Sequence, residues 1–273
     1  MMATLLKHEW RGTRALLGTV MAAATLLAGA GTLLAATGWP VLTGFGTFIA
    51  LVGVISPVPV LQIALVVLYW RSSYSKTGYF THSIPVRGGT IYAAKLLWTA
   101  VVSVVGVLLS FVLGLAFWPV GAATVGAERN PFTMLGDMWS AVTSAASPGL
   151  LIAGLLLALG LLMMSPIQLF FAASVGAESP LNRWGLAGPL LVYVGLYVVF
   201  QIVVFAGLLL IPWGFAGADG QLSMVTFNVI EEVRAGSGNS DVMPLGFLPP
   251  LFLVTLACLW RTVVSWNRKV SLV

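Results

Sequence analysis

Few side chains in this sequence are able to do metal or covalent chemistry, and their spacing keeps them apart. The only two histidines, His8 and His82, fall in separate polar segments. No HExxH, cysteine cluster or paired intramembrane carboxylate accompanies them, so spacing assembles neither a metal centre nor a general base. His82 fits surface hydrogen bonding at a protein interface better than proton abstraction. Cys258 is the only cysteine and lies in an apolar run, where it reads as a packing residue without a disulfide partner. Ser237 stands between Gly236 and Gly238, a flexible-linker composition and not the strand-to-helix setting of a hydrolase nucleophile. No GxxxxGK[ST] phosphate loop occurs, so ATP hydrolysis is not expected of this chain alone. What stands out is charge: a basic stretch from Arg71 to Lys95 in a chain of which 8% is charged.

The elements that must position this stretch are apolar. Of the 273 residues 59% are hydrophobic, and six runs are long enough to cross a hydrocarbon core of about 30 Å, which takes roughly 20 helical residues. They run from about Ala15 to Ala36, Val41 to Tyr69, Leu96 to Trp118, Pro148 to Phe171, Pro189 to Ile211 and Leu245 to Val264, and none contains Asp or Glu. Backbone groups in hydrocarbon must pair within their own element, and the short alternating strands of a barrel are absent, so the crossings read as helices. The expectation is an all-α integral membrane protein, a single transmembrane domain over 1–273, with no room for a soluble domain of ordinary size. The first apolar run exceeds the core of a signal peptide and is read as retained.

Lysine and arginine are held on the cytoplasmic side of short loops. With the N-terminus inside, the inner segments hold Lys7, Arg11, Arg14, Arg71, Lys76, Arg87, Lys95, Arg183, Arg261, Arg268 and Lys269, and the outer ones only Arg129 and Arg234. The acids divide the other way: Glu9 and Glu178 inside, Glu128, Asp137, Asp219, Glu231, Glu232 and Asp241 outside. Both termini are therefore expected in the cytoplasm of a multi-pass cell-membrane protein. The net charge of +5 reflects topology and contact with anionic lipid, not a nucleic-acid partner.

Met2 to Arg14 reads as a separate amphipathic interfacial helix, with Met2, Leu6 and Trp10 on one stripe and Lys7, Arg11 and Arg14 on another. It serves as a lipid anchor or as a docking surface for a cytoplasmic partner. The second run is over-long and carries Pro57 and Pro59, which predict a bend. Beyond that bend Gln62 has two readings, pairing a freed carbonyl or lining a translocation path. Gln201, central in the fifth run, is the better candidate for such a path. Asn130-Pro131 looks like a cap and first-turn proline, predicting an external helix with Phe132, Leu135 and Trp139 on one face. The spacing of Leu222, Val225, Val229 and Val233 predicts a second external helix. Gly149, Gly154 and Gly160, and the small residues around Ala22 to Ala30, permit close helix contacts.

The segment from Arg71 reads RSSYSKTGYFTHSIPVRGGTIYAAK: a polar helix-capable stretch to Ser83, a break at Pro85, then Gly88, Gly89 and Thr90 as a cap for the third crossing. Tyr79, Phe80 and Ile84 are apolar residues in a cytoplasmic segment, and lipid or another protein should cover them. Together with the N-terminal LLKHEWR and six crossings, the passage TGYFTHSIPVRGGTIYAAKLL resembles the permease subunits of the ATP-binding-cassette type-2 exporter family. The layout spans the whole chain, but specific residues match only over Leu5 to Arg11 and Gly78 to Leu97. The resemblance implies contact of both segments with a separate cytoplasmic nucleotide-binding ATPase subunit. Lys7, Glu9, Trp10 and Arg11 would flank that contact; Lys76, Gly78, Tyr79, Phe80, His82, Pro85 and Arg87 would form or support it. One departure is Ser75-Lys76-Thr77, where the family commonly carries an acid before the glycine. The loop centred on Glu178 and Arg183 would make a lesser contact.

On this reading the chain is not an enzyme and binds no cofactor. ATP and magnesium sit on the partner, a second permease copy completes the path, and an amphipathic, peptide-like or lipid-like substrate is exported. Two other classes stay open: an ion-coupled secondary transporter, against which the acid-free crossings weigh, and a non-transporting membrane sensor or immunity protein.

Overall fold

The computed structural model describes residues 2–75, 78, 81, 83, 85–218, 221–236 and 242–268. About 82% of the chain is helical. Among the described residues five helices are each long and apolar enough to cross a membrane, and a bent pair brings the number to six if it counts as one span. The chain is thus a helical, multi-pass membrane protein. It divides into two compact units, residues 1–138 and 139–273.

In the first unit α1 (Met2–Ala35) is continuous, which corrects the expectation of a separate interfacial helix over 2–14. The segment holds no proline. At the expected break Thr13 is buried and its hydroxyl donates to the Glu9 carbonyl at 2.8 Å, so side chain and ladder are both satisfied in helical geometry. At 1.5 Å per residue, α1 is about 50 Å long. The second run bends as its prolines require: α2 (Pro40–Ile55) and α3 (Pro57–Tyr74) meet at Ser56 at 49°. The next helix, α4 (Gly88–Thr124), begins at the glycine pair with Arg87 as N-cap, so Gly88, Gly89 and Thr90 lie inside it instead of capping it. The helix α5 (Pro131–Ala145) starts where Asn130-Pro131 predicted; Asn130 Oδ1 accepts the Phe132 N–H at 3.0 Å.

The α1–α2 hairpin closes through small residues. A Cβ on Gly31 would collide with the Ala50 backbone, one on Gly46 with the Ala35 backbone, and one on Gly53 with Ala28. Without an apolar solvent contrast inside a bilayer, such backbone approach supplies the dispersion contact that holds helices together. At the middle of α1, Leu17 packs with Leu61, Leu65 and Val102, flanked by Val20, Met21 and Trp98.

The second unit is built on α6 (Pro148–Gly176), α7 (Ala187–Leu210) and α9 (Leu248–Arg268), with a 3₁₀ turn at Leu181–Trp184. Its core joins Leu196, Phe200, Leu251 and Cys258. Gly176 meets Pro189, and Gly207 meets Gly246, as backbone-to-backbone approaches, whereas Gly149 and Gly154 have nothing near them. Between α7 and α9 lies a three-stranded antiparallel sheet, order β2-β1-β3, of β1 (Trp213–Ala218), β2 (Gln221–Thr226) and β3 (Val242–Pro244). The second external helix is corrected accordingly. Leu222 and Val225 lie in β2, opposite Gly217 and Gly214, and only Val229 and Val233 are helical, in α8 (Val229–Ala235). Asn228 separates the two by capping α8, its Oδ1 accepting the Ile230 N–H at 3.1 Å.

Candidate coupling site

Glu9 is the only acidic residue before Glu128, and seven cations share that stretch. The fold decides which of them it meets. Lys95, on the second turn of α4, places Nζ 2.7 Å from Glu9 Oε1 and 3.0 Å from Ser72 Oγ on α3. Its side chain is 8% exposed and that of Glu9 20%. A buried ammonium needs its donors satisfied, and here a carboxylate and a hydroxyl from two other helices do so. The same turn of α1 is held twice more. Trp98 Nε1 donates to Thr13 Oγ1 at 3.1 Å, and Trp10 meets Trp98 edge-to-face with centroids 5.7 Å apart. Three helices are therefore tied at one end of the unit by an ion pair, two hydroxyls and an aromatic pair.

The loop between α3 and α4 joins this knot through the Thr81 side chain. Thr81 Oγ1 donates to the carbonyl of Ser72, the same residue whose hydroxyl receives Lys95. Gly78 is buried and its N–H reaches the Ser75 carbonyl at 2.7 Å. Around the ion pair lies a cavity of about 350 Å³, bordered by Leu5, His8, Gly12, Leu68, Thr81 and Ile91. A displacement of the loop at Thr81 is thus one residue removed from the groups that fix α1 against α4.

Of the other residues singled out from sequence, Lys7 and Arg11 are exposed on α1, and Pro85 and Arg87 are exposed before α4. Lys7, Arg11, Arg14 and Arg87 make no ion pair among the described residues. Lys76, Tyr79, Phe80 and His82 lie outside the described residues. Gln62 is buried, and its Nε2 donates to Ser103 Oγ at 3.0 Å, an α3–α4 bond inside the first unit. Gln201 is exposed on α7. In the second unit Glu178 receives Arg261 in a two-pronged pair at 2.9 and 2.6 Å, while Arg183 Nε donates to the Pro180 carbonyl at 3.1 Å.

Sequence reasoning named Glu9 and Lys95 separately, and missed that they pair. It also missed Ser72, Thr81, Trp98 and Arg261 as partners. One signal was present for the first: a lone acid among seven cations must choose, and Lys95, like Arg14, sits where an apolar crossing begins. Among the described residues no three His, Cys, Asp or Glu side chains gather as a metal site. Compared with protein-family models, with curated proteins and with solved structures, the chain finds no match.

Proposed function

We infer that the chain is the membrane-spanning subunit of an ATP-driven exporter, working with a separate cytoplasmic nucleotide-binding subunit that carries ATP and magnesium. Its cell-membrane orientation, with both termini and the Arg71 to Lys95 segment inside, follows from the distribution of cations. A second permease copy and an amphipathic substrate belong to the same reading through the sequence resemblance. The observation that carries it is the knot of Lys95, Glu9 and Ser72. A loop that only joined two crossings would need no buried ion pair to α1, since single buried pairs seldom raise stability over an apolar contact. One that transmits force does need a stiff attachment, and Thr81, Ser72, Lys95 and Glu9 make a chain of contacts from loop to helix.

The unpaired cations Lys7, Arg11, Arg14 and Arg87 suit an acidic partner surface. Fixed charge of one sign steers encounter and selects the partner more than it adds affinity. Co-purification of the tagged chain from its native host in mild detergent tests the reading. A nucleotide-binding subunit should accompany the wild-type chain and be lost from the Tyr79→Ala, Phe80→Ala variant. Absence of any such subunit, with the chain folded and its native neighbours expressed, would overturn it. One observation favours the secondary-transporter reading: the 49° break at Ser56, since discontinuous helices often carry ion sites. Uptake into vesicles driven by an ion gradient without ATP would decide for it.

A further inference from the structure

In the second unit a cavity of about 620 Å³ lies between the first turns of α6 and the three-stranded sheet. Its floor is a stripe of α6, where Leu150, Gly154 and Leu157 follow at spacings of four and three and so share one face of the helix. Its roof is one face of the sheet. Phe215 and Gly217 are two residues apart in β1, Met243 stands opposite Phe215 and Leu222 opposite Gly217, so the register turns all four to the same side. Ala146, just beyond the end of α5, closes a third side. The frame is tied across that side, where Gln221 Nε2 of β2 donates to the Ser144 carbonyl of α5 at 2.9 Å.

Nothing in this frame asks for a polar occupant. Among the described residues, none that borders the cavity brings a hydroxyl, amide or charged side chain. Ligand pockets usually span about 300–1,000 Å³ and carry a few polar groups that orient the ligand. A pocket of this size without them suits a molecule with no polar group to place, a hydrocarbon chain, whereas water inside would find no partners. The glycines point the same way. Glycine inside a strand marks a bulge or bend, or the close approach of a ligand or another backbone. Pairing of β1 with β2 runs unbroken through Gly217, which removes the first, and a Cβ there would meet nothing within 4 Å, which removes a neighbouring backbone. Gly214 of the same strand differs, with Val242 and Phe227 against it. Gly154, across the cavity, is as open as Gly217. The helix α6 is also of membrane-spanning length, and Ile152, Leu155 and Leu156 on its opposite side are 62–63% exposed. Bilayer hydrocarbon therefore surrounds the helix that floors the cavity, and a chain can enter sideways.

We propose that this cavity holds an acyl chain of a membrane phospholipid, taken from the bilayer along α6 and covered by the sheet. The site stands apart from the ATP-driven reading and holds whether or not an ATPase partner exists. The test uses the full chain in phosphatidylcholine vesicles that contain a small share of phosphatidylcholine with a diazirine at the end of one acyl chain. After illumination, adducts are mapped by peptide mass spectrometry. They should fall on the strand residues Phe215, Leu222 and Met243, and also on Ile202 and Phe205, which are exposed on α7 and report ordinary contact with lipid. Gly154→Leu and, separately, Ala153→Leu put side chains into the cavity and should cut the strand adducts several-fold, while unchanged adducts at Ile202 and Phe205 show that the unit is folded. Gly149→Leu, on the same helix and equally open but away from the cavity border, should leave both sets unchanged. No strand adducts beside strong ones at Ile202 and Phe205, strand adducts that persist in both filling variants, or an equal loss in Gly149→Leu would overturn the proposal. Strand adducts abolished by added palmitate would overturn the phospholipid as occupant and give the site to a single-chain amphiphile.

Discussion

Removing one member of the Glu9–Lys95 pair should destabilise the first unit more than removing both. Lys95 is the more buried of the two, its side chain 8% exposed against 20% for Glu9. In Glu9→Gln the ammonium keeps neutral acceptors, the Ser72 hydroxyl and the new amide oxygen, but loses its countercharge and remains largely out of water. Breaking a fully buried pair costs about 3–5 kcal/mol, and the partial exposure of Glu9 lowers this to about 2–4 kcal/mol. In Lys95→Met the stranded group is the carboxylate, which water reaches more easily, so the loss should be smaller, about 1–3 kcal/mol. The double variant buries no unpaired charge. Its loss should therefore fall below that of either single variant, to within about 1 kcal/mol of wild type. Unfolding in mild detergent, followed by tryptophan fluorescence, reads all four species, and the Trp10–Trp98 contact places a reporter beside the pair. Single variants within about 0.5 kcal/mol of wild type, or strictly additive effects, would refute the assignment of the pair as the fastening of α1 to α4.

Glycine contacts offer a matched comparison: Gly46→Val should cost upwards of about 3 kcal/mol and lower the folded yield, while Gly29→Ala, with open space around it, should be neutral in the same thermal assay. Arg261→Lys should lose about 1–2 kcal/mol of stability in the second unit, because a lysine cannot reproduce the two-pronged contact with Glu178, and the charge swap Glu178→Arg with Arg261→Glu should recover part of it. Gln62→Leu should cost about 1 kcal/mol through loss of the Ser103 bond, and Gln62→Leu with Ser103→Ala should cost little more, as a double-mutant cycle in detergent would show.

Features set by runs of residues were legible in the sequence. The crossings follow from the length of apolar stretches, the bend at Ser56 from Pro57 and Pro59, and the start of α5 from Asn130-Pro131. Features set by distant partners were not. Glu9 and Lys95 are 86 positions apart, Glu178 and Arg261 83 apart, and neither spacing carries a local signal. The continuity of α1 has the same origin, since the bond from Trp98 to Thr13 draws the polar first turns into the helix that the apolar pattern begins. The strand β2 was misread because Leu222 and Val225 suit a helical spacing as well as a short strand. Its pairing with Trp213–Ala218 decides the matter, and a six-residue run cannot reveal a partner outside itself. Arg87 was read as loop and proves to be the cap of α4, a shift of up to three residues that moves the glycine pair and Thr90 into the helix.

Site-specific photo-crosslinking from position 87 in native cells tests the central claim most directly, because Arg87 is exposed at the junction of the loop and α4. A benzophenone side chain placed there should capture a nucleotide-binding subunit, and the yield should change when ATP turnover is trapped with vanadate. Capture of lipid alone, or of a protein without a nucleotide site and with a yield indifferent to vanadate, would contradict the assignment of the Arg71 to Lys95 segment as the coupling surface.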